Sequence, residues 1–205
     1  MAYSWRCSAR SEGGQIVCMN GDKHHIDKWD LIVAFPPCTH LAVSGAAHFE
    51  KKRADGRQRQ GIELFCKFLD VDCTHVAIEN PIGIISGDYI TKYFPDLAEK
   101  YGLPLKATQI IHPWQFGDNV EKSTCLWLKG LPNLIPSVNE KPELEYKEWV
   151  DKKTGKKKRQ PKWFFDALSL SPEERAKVRS QTFNGIAQAI ATQWSEYILK
   201  EEENE

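Results

Sequence analysis

Trp29-Asp30-Leu31-Ile32-Val33-Ala34-Phe35-Pro36-Pro37-Cys38 is the stretch whose character decides the fold. Residues 31 to 35 are apolar and rich in strand formers, and two prolines, unable to donate to a ladder, stop the run. This predicts a buried strand that empties into a stiff loop running on through Thr39-His40-Leu41-Ala42-Val43-Ser44-Gly45. Downstream, Ile62, Phe65, Cys66 and Leu69 fall at helical spacing behind a charged stretch holding Arg53, Arg57 and Arg59. That spacing predicts an amphipathic helix. Val76-Ala77-Ile78 is then a second buried strand, ended by Glu79-Asn80-Pro81. Strand, helix and strand in this order form a βαβ unit, so a parallel pair with a right-handed crossover is expected.

Working outward, Thr108 to Ile111 and Thr124 to Leu128 are further strand candidates. The first twenty residues, with Gly13-Gly14, suggest a loop or short hairpin leading into Gly21-Asp22. The basic segment around Thr154-Gly155, flanked by Trp149-Val150 and Trp163-Phe164, predicts a β-hairpin inside an insertion of about residues 140–165. Ser171-Pro172-Glu173-Glu174 has the form of a capping box, so a helix should start there. A last helix is expected from about Asn184, with Ile186, Ile190, Trp194 and Ile198 as its apolar stripe, and the tail Glu201-Glu202-Glu203 is expected to fray.

The totals bound the rest. A chain of 205 residues, 41% apolar, suffices for one well-packed domain, here residues 1–205, and is short for two ordinary ones. Its 28 basic and 28 acidic side chains cancel, so any attraction to nucleic acid must be local. Six cysteines (Cys7, Cys18, Cys38, Cys66, Cys73 and Cys125) form no CxxC pair and follow no secretory leader, which favours reduced thiols in a cytoplasmic protein. The apolar runs are too short for a membrane span. His24-His25, His40 and His48 match no ligand spacing, so no metal is expected.

In an open α/β sheet, ligands collect beyond the C-terminal ends of the strands. Cys38 and Glu79 stand in two such places. A cysteine after two prolines sits in a stiff, accessible loop, where its thiolate can meet a ligand. The bland alternative is a small packed hydrophobe. Glu79, after three buried residues and before Asn-Pro, is held at a strand end, where it can act as an acid or accept a hydrogen bond. Its bland alternative is a helix-cap neighbour or a surface ion pair.

Pro37-Cys38 with Ser44-Gly45 downstream resembles the nucleophile loop of DNA cytosine-5 methyltransferases, and Ile78-Glu79-Asn80-Pro81 resembles their Glu-Asn-Val motif. From Trp29 to Trp194 the chain is similar to phage and prophage proteins described as methyltransferase-like. The likeness is carried by Ala34 to Leu41, Ile78 to Gly83, His112-Pro113-Trp114-Gln115-Phe116-Gly117, Lys122 to Pro132 and Thr182 to Ala187. The resemblance implies a Rossmann-like, mostly parallel sheet flanked by helices. It implies Cys38 attacking C6 of a flipped-out cytosine while Glu79 contacts N3 and the exocyclic amine, in host-cell cytoplasm if the protein is phage-encoded. Pro37, Thr39, His40, Ser44, Asn80 and Gln115 are then the substrate-side residues. S-adenosylmethionine is the implied methyl donor, with Asp22 and Asn184 on its side. DNA is the implied partner, with Lys152, Lys153, Lys156, Lys157, Lys158 and Arg159 as phosphate contacts beside Trp149 and Trp163. The bland alternative for that run is a solvated face.

The sequence departs from the methyltransferase pattern in several places. No strand and glycine loop for the cofactor precedes Asp22, Thr39 stands where a glutamine is usual, and Gln109 to Gly117 replaces an arginine-rich strand. Relative to its phage relatives the chain begins about one βα unit late. Two explanations stay open: a remnant that needs a partner subunit or a second copy for the cofactor, or a family that uses its cysteine and glutamate on a nucleobase without methyl transfer. A nucleic-acid-binding or nucleotide-binding factor without chemistry, regulatory or counter-defensive, is the third reading.

Overall fold

The computed structural model describes residues 12–17 and 22–204. The chain divides into two compact units, one comprising residues up to 110 with 124–133, the other 111–123 with 134–205.

The first unit opens with an antiparallel hairpin, β1 (Glu12–Val17) and β2 (Lys23–Lys28), so the N-terminal stretch contains a strand and extends past Asp22 into a second. Next come β3 (Leu31–Ala34), α1 (Phe49–Ala54), α2 (Arg57–Lys67) and β4 (His75–Pro81). They are followed by α3 (Tyr89–Tyr93), α4 (Pro95–Tyr101), β5 (Gln109–Ile111) and β6 (Thr124–Lys129). The strands of the central sheet lie in the order β3-β4-β6-β5. β3 and β4 pair in parallel, Leu31 opposite His75 and Ala34 opposite Ile78, as expected for the βαβ unit. β6 joins β4 antiparallel, with Val76 opposite Lys129 and Pro81 opposite Thr124, so the sheet is mixed. The fold is thus an α/β arrangement of a four-stranded sheet with helices.

The helix read from Ile62, Phe65, Cys66 and Leu69 is α2; the first three side chains are buried, while Leu69 lies past its end and is partly buried. They pack with Val76 and Ile78 of β4 and with Cys125 and Trp127 of β6 in one core. Trp127 meets Phe65 edge to face with ring centroids 4.9 Å apart, and its indole N–H donates to the Leu105 carbonyl at 2.9 Å, so the buried ring keeps a polar partner. The loop expected through Gly45 ends in a tight 3-10 helix, Val43–His48, that leads directly into α1.

The second unit holds the hairpin β7 (Tyr146–Val150) and β8 (Lys157–Pro161), then α5 (Lys162–Asp166), α6 (Pro172–Ser180), α7 (Asn184–Ala189) and α8 (Ser195–Glu202). The expected hairpin is present, but Trp163-Phe164 belong to α5 and do not flank the turn as strand. The capping box is formed: the Glu174 amide donates to Ser171 Oγ at 3.3 Å and the Ser171 amide to the Glu174 carboxylate at 3.2 Å. The acidic tail was expected to fray, yet Glu201 and Glu202 are helical.

Between α7 and α8 the chain makes one wide π turn, Ile190–Trp194. Ile186, Ile190, Trp194 and Ile198 are all buried. A four-residue spacing overshoots a 3.6-residue turn by about 40° per step, so a pure α-helix would wind this stripe off its partner. The wider turn supplies the missing rotation and keeps the four residues facing one way.

Candidate functional site

The parallel register sets the site. Ala34 and Ile78 are paired, and both strands run toward the same edge, where β3 ends and Phe35 leaves the sheet beside Glu79; β4 runs on to Pro81, so Glu79, expected at a strand end, stays within the strand opposite Leu126 of β6. Beyond that edge the two segments are laced together. Asn80 Nδ2 donates to the Pro36 carbonyl at 2.8 Å. The Val43 amide donates to Ile82 O at 3.1 Å, and the Ile84 amide to Leu41 O at 3.0 Å. Ala42 and Gly83 form an isolated antiparallel bridge. A Cβ on Gly83 would stand 2.6 Å from Leu41 O, so only glycine permits this approach.

Cys38 begins a single 3-10 turn, Cys38–His40. Its carbonyl accepts from the amides of Leu41 and Ala42, both at 2.9 Å. The Thr39 carbonyl accepts from Lys52 Nζ at 2.6 Å, and the His40 carbonyl from Gln58 Nε2 at 3.2 Å. Gln58, fully buried, is oriented in turn by the Tyr89 hydroxyl, which donates to its Oε1 at 2.9 Å. The acceptors of Pro36 and of residues 38 to 41 are therefore all engaged, and the stiffness read from two prolines is reinforced by side chains from α1, α2 and β4.

The thiol of Cys38 is half-buried, whereas Cys66, Cys73 and Cys125 are buried; all four are free. Cys7 and Cys18 lie outside the described residues. Burial pushes the Cys66 thiol up to about 12 and the Cys125 thiol up to about 11, which makes them inert hydrophobes. Glu79 is half-buried on β4 and shares a sheet face with Ala77 and with Leu126, which stands opposite it. Asn80 points the other way, toward the face of Ile78 and Trp127, and is buried. Its Nδ2 is used by Pro36, while its Oδ1 has no partner. Truncation to Asn80→Ala leaves the buried Pro36 carbonyl without its donor, and should cost about 1–3 kcal/mol in urea unfolding. An unchanged urea midpoint would show that this bond does not hold the turn.

His40 carries a partly covered ring whose Nδ1 is buried without a partner. Burial, and then Lys52 and Arg57, hold its pKa below the usual 6.5, with Asp55 opposing. The folded state thus binds the His40 proton more weakly than the unfolded chain, and stability should fall as pH drops below about 6.5. Thermal melts at pH 7.5 and 5.5 should show this loss, and His40→Gln should reduce it; an equal loss in the variant would exclude His40 as its source.

The remaining expected site residues distribute as follows. Pro37, Thr39 and Ser44 are exposed on the cysteine segment, and Asp22 is exposed at the head of β2. Gln115, Asn184 and the basic run belong to the second unit. Gln115 spends its Oε1 on the His112 amide at 2.7 Å, capping its own turn. Asn184 opens α7 with an exposed side chain. In the hairpin, the Asp151 carboxylate accepts from the amides of Lys153 at 3.0 Å and Thr154 at 2.9 Å and pairs with Lys158, which holds its carboxyl far below the usual range. Lys152, Lys153, Lys156 and Lys157 remain exposed, and Arg159 lies over the Tyr146 ring at 4.6 Å.

Two contributors escaped the sequence reading: Lys52 and Gln58, both polar, both buried, both holding carbonyls of the Cys38 turn. Gln58 carries no signal distinguishable from a surface helix residue, and Lys52 lies in the charged run Glu50-Lys51-Lys52-Arg53. Among the described residues no cluster of metal-ligating side chains is present and no helix is long and apolar enough to cross a membrane. No protein-family model matches the chain, and no curated protein matches it.

Proposed function

We propose that this chain is a DNA cytosine-5-methyltransferase-like protein that acts on a cytosine base, with Cys38 as nucleophile and Glu79 as the acid that orients the base. The observation that supports this most is an accessible thiol on a braced turn, laced to the segment that carries Glu79. The proposal includes the finer fold assignment, a Rossmann-like sheet of the methyltransferase kind.

In this reading the base leaves the duplex to reach the sheet edge. The Cys38 thiolate forms a bond to C6 as the C5–C6 double bond opens, and its electrons pass through the ring to N3, which takes a proton from Glu79. Aromaticity is lost and C5 becomes nucleophilic. Among the described residues the segment before β3 does not fit S-adenosylmethionine: it is an antiparallel hairpin, with no glycine turn between a strand and a helix. The chemistry assigned to this chain is reversible addition: C5 takes a proton from water and loses its original one to water, then N3 returns its proton to Glu79 as the C5–C6 double bond re-forms and the thiolate departs. Transfer of a methyl group then requires a partner that brings the donor.

The exposed lysines of the β7–β8 hairpin favour a second reading, a nucleic-acid-binding factor without chemistry. Incubation of cytosine-containing oligonucleotides in D2O separates the two. The enzyme exchanges the C5 hydrogen, seen as one mass unit gained per exchanged cytosine. Binding with no exchange on single-stranded or duplex substrates leaves only the second reading.

A further inference from the structure

We infer that Lys52 is a positioning residue that favours the thiolate form of Cys38, supplying the positive charge of the Cys38 turn from α1. The inference rests on the proposed nucleophile role for its purpose, although its test does not.

Lys52 is 8% exposed, an unusual state for an ammonium. Its Nζ donates to Thr39 O at 2.6 Å, stands 6.0 Å from the centre of the Phe49 ring and would lie 3.2 Å from a Cβ on Gly45. No carboxylate among the described residues pairs with it. A buried cation normally has a counter-charge, because desolvation without one is costly. Here the ammonium is fixed on the carbonyl of the residue next to Cys38, so an anion at that thiol would be its compensating charge. A neighbouring opposite charge favours the ionised form of a thiol.

The other ionisable groups near the turn do not supply this charge. His40, on the turn itself, is held toward its neutral form. Asp55 and Arg57, ahead of and opening α2, neutralise each other in an ion pair. Glu79, on β4, carries no positive charge in either protonation state. Among the described residues, Lys52 is the cation fixed on the carbonyl beside Cys38, and so placed to favour a thiolate there.

The test is the pH dependence of Cys38 alkylation by iodoacetamide, followed on the Cys38 peptide by mass spectrometry. In Lys52→Met the midpoint should rise, with about tenfold less Cys38 thiolate at pH 7 than in the wild-type chain, while Lys52→Arg keeps the wild-type midpoint. Lys52→Gln, which retains a donor for the Thr39 carbonyl, takes the place of Lys52→Met if the latter fails to fold. A neutral variant that folds and alkylates with the wild-type pH profile overturns the inference and leaves Lys52 a structural brace. A shifted profile in a protein that exchanges no C5 hydrogen leaves the inference standing and removes the catalytic proposal.

Discussion

Replacing Cys38 by serine should reduce C5-hydrogen exchange on cytosine to background while the protein stays folded. A hydroxyl fits the space of the thiol, but it is ionised to a negligible extent near neutrality, whereas a thiol supplies some thiolate and is intrinsically a strong nucleophile. The turn that presents the side chain is held through its carbonyls, by Asn80, Lys52, Gln58 and the Ile84 amide, none of which the substitution touches. Unfolding free energy should therefore move by less than about 1 kcal/mol. Glu79→Gln should lower exchange by about 10²–10⁴-fold, the usual worth of a proton donor in place. Exchange that survives in Cys38→Ser but dies in Glu79→Gln would mean that the carboxylate carries a different reaction on the base. Exchange intact in both variants would place the chemistry elsewhere in the chain.

The largest stability effect is expected at Gly185, outside that site. A Cβ there would stand 1.9 Å from the Phe116 carbonyl oxygen, 2.7 Å from its carbon and 2.9 Å from Asp118 Oδ2. Two of those three atoms are backbone, so no side-chain rotation relieves the clash. The Gly185 amide also donates to Asp118 Oδ2 at 2.9 Å, which ties the start of α7 to this segment. Gly185→Ala must push α7 away and draw Ile186 and the stripe behind it out of their packing. A loss of about 3 kcal/mol is expected, the upper end for overpacking, which for a chain of this size is roughly 6–12 °C in melting temperature. A variant that melts within about a degree of the parent would show that the helix start can shift without cost.

The parts legible in the sequence were those with a local physical cause. Residues 31 to 34 formed a strand because apolar β-formers ran into prolines, with Phe35 already outside it, and Ile62, Phe65 and Cys66 were buried because their spacing matches a helical turn. Ser171 and Glu174 made their cap through contacts three residues apart. Other features depended on partners distant in the chain. Thr124 to Lys129 reads as a strand in either direction, and its antiparallel run is set by pairing with β4, not by its own period. Trp163 and Phe164 have aromatic rings that suit a strand, yet the chain turns helical at Lys162. Lys52 looked like one more charge on a solvated face, because nothing in Glu50-Lys51-Lys52-Arg53 says which side chain will face Thr39. The position of Cys38 was readable from two prolines, while Lys52 and Gln58, which brace it from α1 and α2, were not.

The spent carbonyls of the Cys38 turn have a consequence for selectivity. With the oxygens of Pro36, Cys38, Thr39, His40 and Leu41 already committed, this main chain has little left with which to welcome an incoming NH2 group. If the chain acts on cytosine as proposed, a base that offers such a group where uracil and thymine offer an oxygen, discrimination among pyrimidines would fall to the side chains, with the Glu79 carboxylate as the receiver. Exchanging that one carboxylate for an amide, which can present either a donor or an acceptor, would loosen the preference for cytosine as well as slow the reaction.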